Sequence, residues 1–207
     1  MNPEQRLTEL GLKLSPASAP AGNYASAVQT GNLLFISGKA PLPQDGKAPK
    51  GKLGREYSTE DGRAFARSAC LELIAVMKDK LGSLDRVAQV VELQGSLNTV
   101  PEFEEHAKVL DGASDLLAEV FGAAGVHARS VIGVDSLRNG MPLTLRAVVE
   151  VKSSQEIDDR VAKGDKALGK TFDKWLLDRA RQMEADGDLP EGTVAQAKAS
   201  MVELAAL

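Results

Sequence analysis

The sequence contains few of the residues on which disulfide-rich, metal-binding and membrane-spanning proteins depend. Its 207 residues include one cysteine and two histidines, and aromatic residues make up 4% of the chain. Because the single cysteine, Cys70, cannot form an intramolecular disulfide, the chain fits a reducing compartment. Neither His106 nor His127 has a partner at metal-ligand spacing, so we expect no bound metal. No segment approaches the roughly 20 apolar residues of a membrane helix, and we expect no membrane partner.

The charge balance gives no strong field of either sign. The chain has 25 basic and 29 acidic residues, for a formal net charge of −4. This balance does not favour nucleic acid as a partner. The lysine-rich segment 39–55 also lacks interleaved aromatic residues on which bases could stack. Because the N-terminal residues lack the long apolar run of a signal peptide, we expect a cytoplasmic protein.

Apolar spacing predicts a hairpin and a helix in the first part of the chain. Residues 24–30 and 33–37 are β-rich, and the Gly31-Asn32 pair between them favours a hairpin. A helix is predicted to begin at Ser58-Thr59, where hydroxyl groups can cap free backbone N–H groups. Its apolar residues fall on one face, and Gly82 is expected to end it.

The next segment alternates with a period of two and predicts a strand over residues 86–98. We expect one face of this strand to carry Val87, Val91, Leu93 and Leu97. A second helix is predicted to begin at Thr99-Val-Pro-Glu102, which has the spacing of a capping box. Two further strands are expected, at 127–137 and 143–152. The Asn139-Gly140 pair between them predicts a tight hairpin.

These elements predict an α+β fold with a mixed β-sheet and two helices packed on one face. The other sheet face stays uncovered, and a symmetric homo-oligomer is one way to cover it. After Lys152 the strand pattern stops, and apolar residues such as Phe172 and Trp175 recur at helical spacing. We therefore divide the chain into a domain at 1–152 and a C-terminal helical extension, a hairpin, at 153–207.

Five ordered blocks carry a resemblance to a known family. They are Ala21-Gly-Asn-Tyr24, Asn32-Leu-Leu-Phe-Ile-Ser-Gly38, Gly82-Ser-Leu-Asp-Arg-Val87, Asp111-Gly-Ala-Ser-Asp-Leu-Leu117 and His127-Ala-Arg-Ser-Val-Ile-Gly-Val134. Residues 5–152 thereby resemble the YjgF/RidA family, also called L-PSP or endoribonuclease-like, in its chorismate mutase-like branch. The resemblance implies a homotrimer with a cleft between each pair of subunits. It also implies hydrolysis of reactive enamines and imines to 2-keto acids and ammonia, without a cofactor.

The resemblance assigns roles to particular residues. Arg129 would face the cleft and hold the carboxylate of a 2-imino acid, since a guanidinium can donate two parallel N–H···O bonds to it. Tyr24, Ser37 and Gly38 would line the cleft and bind the substrate. The alternative for Arg129 is an ion pair with a nearby acid, and a two-residue turn after its strand would place Glu150 opposite it.

One position departs from the family pattern. Deaminating members usually carry a glutamate on the last strand, where this chain has Thr144. A threonine can hold a water molecule, but it cannot act as a carboxylate base. Arg146, on the same face, stands where the family often has an acid, and it would either add positive charge to the cleft or pair with Glu150 or Asp135.

Three functions follow from these residues. The first is an enamine/imine deaminase-like hydrolase, with Arg129 and Thr144 as catalytic residues and a small carboxylate-bearing metabolite as substrate. The second is a non-catalytic protein of the same fold that binds such a metabolite or a partner. The third is an endoribonuclease, which the net charge and the lack of stacking residues do not support.

Overall fold

The computed structural model describes residues 2–44 and 46–153, together with Asp178, Arg181, Gln182 and Glu184. Three helices and five strands form the main elements of this part of the chain. Their bounds are α1 (Pro3–Glu9), β1 (Ala27–Thr30), β2 (Leu33–Lys39), α2 (Thr59–Leu81), β3 (Val87–Asn98), α3 (His106–Phe121), β4 (Ala128–Val134) and β5 (Leu143–Val151). The predicted α+β class is confirmed.

The strands form one mixed sheet in the order β1-β2-β5-β3-β4. All neighbouring strands are antiparallel except β3 and β4, which are parallel. Helices α2 and α3 pack on one face, as predicted, and enclose a core in which Leu73, Leu93 and Leu117 are fully buried. The opposite face, which we call the open face, leaves Phe35 and Ile132 exposed.

Helix α2 begins and ends where the sequence predicts. The Ser58 hydroxyl accepts a hydrogen bond from the backbone N–H of Asp61, and the Asp61 carboxylate accepts one from the Ser58 N–H. This reciprocal capping box satisfies N–H groups that the first turn leaves free. Gly82, with φ of 73°, ends the helix in a conformation that costs glycine little.

The hairpin between β1 and β2 is confirmed, with Gly31 at a positive φ of 56°. Strand β1 begins at Ala27, three residues later than predicted. The reason is a turn before it, in which the Tyr24 N–H donates to the carbonyl oxygen of Gly22 at 2.9 Å.

Helix α3 begins at His106, so the prediction of a start at Thr99 is wrong. The Thr99 N–H donates to the carbonyl oxygen of Val134 at 3.2 Å, and the Val100 N–H donates to that of Leu53 at 3.1 Å. These bonds join the end of β3 to two other segments, so the capping-box spacing lies in an extended connection. The cap residue of α3, Glu105, makes no side-chain capping bond.

The predicted hairpin between β4 and β5 is also wrong. Asn139 and Gly140 lie in a short 3-10 turn, where Asn139 has φ of 59°. Because β3 lies between β4 and β5 in the sheet, the connection crosses the end of β3. Glu150 is therefore not opposite Arg129; it accepts a hydrogen bond from the Asn32 side chain at 2.8 Å.

Two irregularities in strand β3 change part of the predicted face. Its register with β5 shifts between Val87 and Gln89 and again between Val90 and Glu92. Each extra residue turns the side chains that follow it to the opposite face. Val90 is consequently buried and Val91 is 39% exposed, so the prediction that Val91 faces the core is wrong.

The predicted helical hairpin at 153–207 lies almost wholly outside the described residues. Of that range, the structure describes Ser153 and four helical residues between 178 and 184. None of the helices in the described part of the chain is long and apolar enough to cross a lipid bilayer.

Candidate functional site

Three cavities meet where β2 separates from β5. The register between these strands shifts between Ile36 and Lys39, which leaves Ser37 and Gly38 without a partner residue on β5. Gly38 lines all three cavities, whose volumes are about 110, 530 and 240 Å³. We call the three together the cleft. The first two open on the open face, and the third extends toward α2.

Tyr24, Ser37 and Gly38 all line the cleft. The Tyr24 side chain is half exposed, and its hydroxyl oxygen accepts a hydrogen bond from the Ala21 N–H at 3.3 Å. The Ser37 hydroxyl donates to the carbonyl oxygen of Ala25 at 2.7 Å and so holds the segment before β1. A Cβ added to Gly38 would meet open space. Gly38 therefore leaves room for a ligand close to the backbone.

Thr144 and Arg146 lie on the open face of β5 and also line the cleft. The two acids proposed as partners of Arg146 are bonded elsewhere, since Asp135 pairs with Lys52 at 2.9 Å and Glu150 bonds with Asn32. The predicted ion pair of Arg146 is therefore wrong. Its exposed guanidinium adds positive charge to the cleft.

Arg129 does not line any of these three cavities. Its Nη1 donates to Asp111 Oδ1 at 2.7 Å and to Ser114 Oγ at 3.2 Å, and both partners belong to α3. The side chain therefore lies on the helix side of edge strand β4, on the face opposite to Thr144. An acid does pair with Arg129, as the alternative held, but that acid is Asp111 and not Glu150.

A short network holds Arg129 and leaves one edge of its guanidinium free. Ser114 Oγ also lies 3.1 Å from His127 Nε2, and His127 Nδ1 lies 2.6 Å from the carbonyl oxygen of Gly125. Because a carbonyl oxygen only accepts, Nδ1 carries a proton. Among the described residues, Nε and Nη2 of Arg129 have no hydrogen-bond partner. These two groups form the parallel pair that a carboxylate can bind.

Lys39 and Glu72 are two buried charged residues of the cleft that were not predicted from the sequence as site residues. Their exposed fractions are 6% and 2%, and both line the cavity of about 240 Å³. Lys39 Nζ donates to the carbonyl and hydroxyl oxygens of Ser18 at 3.0 and 3.1 Å, and the Ser18 N–H donates to Glu72 Oε2 at 3.3 Å. One signal was available, because Glu72 is an acid within the apolar face of α2.

Several basic side chains of the lysine-rich segment 39–55 are buried or bonded to other residues of the domain. Lys39 is buried, and Lys52 Nζ bonds to the carbonyl oxygens of Thr99 and Asp135 as well as to the Asp135 carboxylate. Arg55 pairs with Glu56 at 2.6 Å, and the hydrogen bond from Arg55 lowers the pKa of the Glu56 carboxyl. Three of its five basic side chains thus have partners or are buried. Within the described residues, no group of three or more potential metal ligands occurs.

Comparison with known proteins assigns a family to the part of the chain that carries the cleft. A family model described as "YjgF/chorismate_mutase-like, putative endoribonuclease" matches residues 4–151. The chain belongs to the YjgF/RidA family. The matched range includes every residue that lines the cleft, and also Arg129. It ends before the extension at 153–207.

Individual relatives agree with this assignment. Protein TCP17 from Trypanosoma cruzi is 41% identical over 148 residues, which cover 71% of this chain and 92% of that protein. A "putative endoribonuclease" from Shewanella oneidensis, known from its crystal structure, is 37% identical with a TM-score of 0.70, and the match covers 73% of this chain and 100% of that one. The protein Atu1372 of unknown function from Agrobacterium tumefaciens is 37% identical, with a TM-score of 0.66, over 72% of this chain and 92% of that one.

Proposed function

We propose that the chain is a 2-imino acid deaminase-type hydrolase, which converts reactive enamines and imines to 2-keto acids and ammonia. Membership of the YjgF/RidA family supports the general assignment. The observation that carries the finer proposal is the free Nε–Nη2 edge of Arg129, which suits the carboxylate that every 2-imino acid carries.

In the proposed site, Arg129 and the cleft come from two copies of the chain. Arg129 lies on the helix side of edge strand β4, whereas Tyr24, Gly38 and Thr144 line the cleft. One chain therefore does not bring them together. In a homotrimer, the same contact repeats around the axis, and Arg129 of one copy serves the cleft of the next. Exposed apolar residues of the open face, such as Phe35 and Ile132, form the surface that this contact would cover.

The proposed reaction needs a bound carboxylate, a positioned water and proton transfers. Arg129 orients the 2-imino acid through its carboxylate, which fixes the imine carbon relative to the cleft. The Thr144 hydroxyl can both donate and accept, so it holds a water molecule beside that carbon. Addition of the water and loss of ammonia yield the 2-keto acid.

A second candidate is a protein that binds the same class of carboxylate without converting it. The observation in its favour is the chemistry of β5, where Thr144 cannot accept a proton as a carboxylate does. Arg146 beside it adds a charge suited to retaining an anion. The third candidate is an endoribonuclease, which the description of the Shewanella oneidensis relative suggests. Lys52 and Arg55 pair with acids of the domain, which reduces the positive charge that the lysine-rich segment offers to RNA.

The test is keto-acid formation from 2-imino acids that an amino-acid oxidase generates in place. Wild-type protein is compared with Arg129→Ala, and Arg63→Ala is the matched control because Arg63 also pairs with an acid of α3, Asp115, at 2.6 Å. We expect Arg129→Ala to lower kcat/KM by about 10- to 100-fold, since a hydrogen bond to a charged group contributes about 1.5–3 kcal/mol. Arg63→Ala should match the wild type.

Two results would change the proposal. Equal rates for wild type and Arg129→Ala would remove Arg129 from the reaction. If wild type accelerates no 2-imino acid, the hydrolase fails, and calorimetric titration with 2-oxobutanoate then tests the binding candidate. Binding that Arg129→Ala abolishes would support that candidate.

A further inference from the structure

We propose that Glu72 is a catalytic carboxylate of this cleft, which accepts the proton of the attacking water. This inference rests on the hydrolase proposed above. Tyr24, Gly38 and Thr144 all line the cavity of about 240 Å³, and Glu72 lines it from α2. Of the side chains that line the three described cavities, Glu72 supplies the carboxylate.

The burial of Glu72 is costly for a residue with no functional role. It lies on the apolar face of α2, next in the stripe after Ala69 and before Val76, and it is 2% exposed. Burial of a charged carboxylate is unfavourable unless hydrogen bonds or an opposite charge compensate it. Most buried side-chain oxygens of native proteins have at least one hydrogen-bond partner.

The partners of Glu72 fill only part of its capacity. Oε2 accepts one hydrogen bond, from the Ser18 N–H at 3.3 Å. An ionised carboxylate can accept about four. Within the described residues, Glu72 has no ion pair, since Lys39 reaches it through Ser18 instead of directly. The remaining acceptor sites are therefore available to water or ligand in the cavity.

Ser18 gives the carboxylate a fixed position. Its carbonyl and hydroxyl oxygens hold Lys39 of β2, while its N–H holds Glu72 of α2. The segment before β1 is thereby fastened to a strand and a helix beside the cleft. A base that is held in place by rigid elements requires little reorganisation during the reaction.

Glu72 and Thr144 line the same cavity, and in the proposed step the attacking water lies between them. Its oxygen forms a bond to the carbon of the protonated imine, Glu72 takes one of its protons, and the C=N electron pair moves to nitrogen. Glu72 then returns the proton to this nitrogen. The C–N bond breaks as the hydroxyl oxygen forms the C=O bond, and the hydroxyl proton leaves with ammonia as ammonium.

The first test is Glu72→Gln in the full-length protein, assayed on 2-imino acids generated from several L-amino acids. Glutamine keeps the shape and can still accept from the Ser18 N–H, but it cannot take the proton. We expect kcat to fall by about 100-fold, the lower range for loss of a general base, with KM nearly unchanged. The control is Glu150→Gln, which alters an acid of β5 that does not line the three cavities and should keep wild-type kcat.

The second test is chemical rescue of Glu72→Ala by formate. Formate can occupy the vacated space and accept the proton, so added formate should raise the rate of Glu72→Ala and leave wild type and Glu72→Gln unchanged. A rescued rate also demonstrates that the variant is folded.

The outcomes separate this inference from the proposed function. A wild type that accelerates no 2-imino acid overturns both. An active wild type with kcat of Glu72→Gln within about two-fold, or with its loss confined to KM, overturns the role of Glu72 alone. The role of Glu72 is likewise overturned if formate does not rescue Glu72→Ala while Glu72→Gln keeps the wild-type kcat.

Discussion

Cys70 shows how its surroundings set the chemistry of a single residue. Its side chain is fully buried on α2, with Sγ 3.6 Å from the carbonyl oxygen of Ala113. Burial raises the pKa of the Cys70 thiol to about 12, because the thiolate is poorly solvated there. The thiol is therefore protonated at neutral pH and shielded from reagents.

We predict that native protein does not react with Ellman's reagent at pH 8, whereas protein in guanidinium chloride releases one equivalent of the coloured product. Absorbance at both conditions measures this difference. Rapid reaction of the native protein would contradict the burial of Cys70.

The raised pKa of Cys70 also makes the stability of the domain depend on pH. The contribution of the buried thiol to stability is intact below the ordinary thiol pKa of 9.0 and declines as the pH rises toward about 12.

The sequence around each charged residue of the cleft does not predict which other residue it lies beside. Lys39 belongs to a lysine-rich segment in which Lys47 and Lys50 are exposed. The fold buries Lys39 beside Ser18, and it buries Glu72 of α2 against the same serine. The two positions are 33 residues apart in the sequence, so no local pattern could pair them.

At the scale of elements, α2 and α3 lie unusually close together. A Cβ added to Gly112 of α3 would lie 2.1 Å from the carbonyl oxygen of Arg63 in α2. Backbone cannot move aside as a flexible side chain can. The small residue at this position therefore sets the distance between the two helices that cover the sheet.

We predict that Gly112→Ala destabilises the domain by about 1–3 kcal/mol, the usual cost of overpacking a core. Alanine favours a helix over glycine by about 1 kcal/mol, so the collision must exceed that gain. Urea unfolding measures the change, and Gly38→Ala is the control because its Cβ would meet open space. A more stable Gly112→Ala would indicate that the helices can separate at little cost.

The elements also differ in how well local patterns predicted them. Helix α2 has its own capping box and a glycine at its end, and the hairpin before β2 has a glycine at its turn, so neighbouring residues determine both. The capping-box spacing at Thr99 failed because Val134 and Leu53 bond to that backbone from elsewhere in the fold. The bulge at Val91 likewise depends on pairing with β5.

For the whole molecule, the proposed trimer makes a direct prediction. Ile132 is 55% exposed on the open face, and Leu10 is 41% exposed at the end of α1, outside the sheet. A buried charge without a partner is costly, so Ile132→Glu should dissociate the assembly. Because Arg129 would then be separated from its neighbour's cleft, hydrolysis should be lost as well.

Light scattering on wild type, Ile132→Glu and Leu10→Glu measures the assembly. We expect three times the chain mass for wild type and Leu10→Glu, and the mass of one chain for Ile132→Glu. Keto-acid formation by the same samples should follow the trimer. An active monomeric wild type would contradict both the assembly and the role assigned to Arg129 in a neighbouring cleft.

The sequence alone determined the order of strands and helices, the fold class and the family, because apolar period, caps and short ordered blocks are local properties. It also identified Tyr24, Ser37, Gly38 and Thr144, which the fold brings to one cleft. Only the tertiary structure decided that β4 pairs with β3, that Arg129 bonds to Asp111, and that Glu72 reaches the cavity. Each of these depends on contacts between distant segments, which form only when the sheet order is set and the helices are packed.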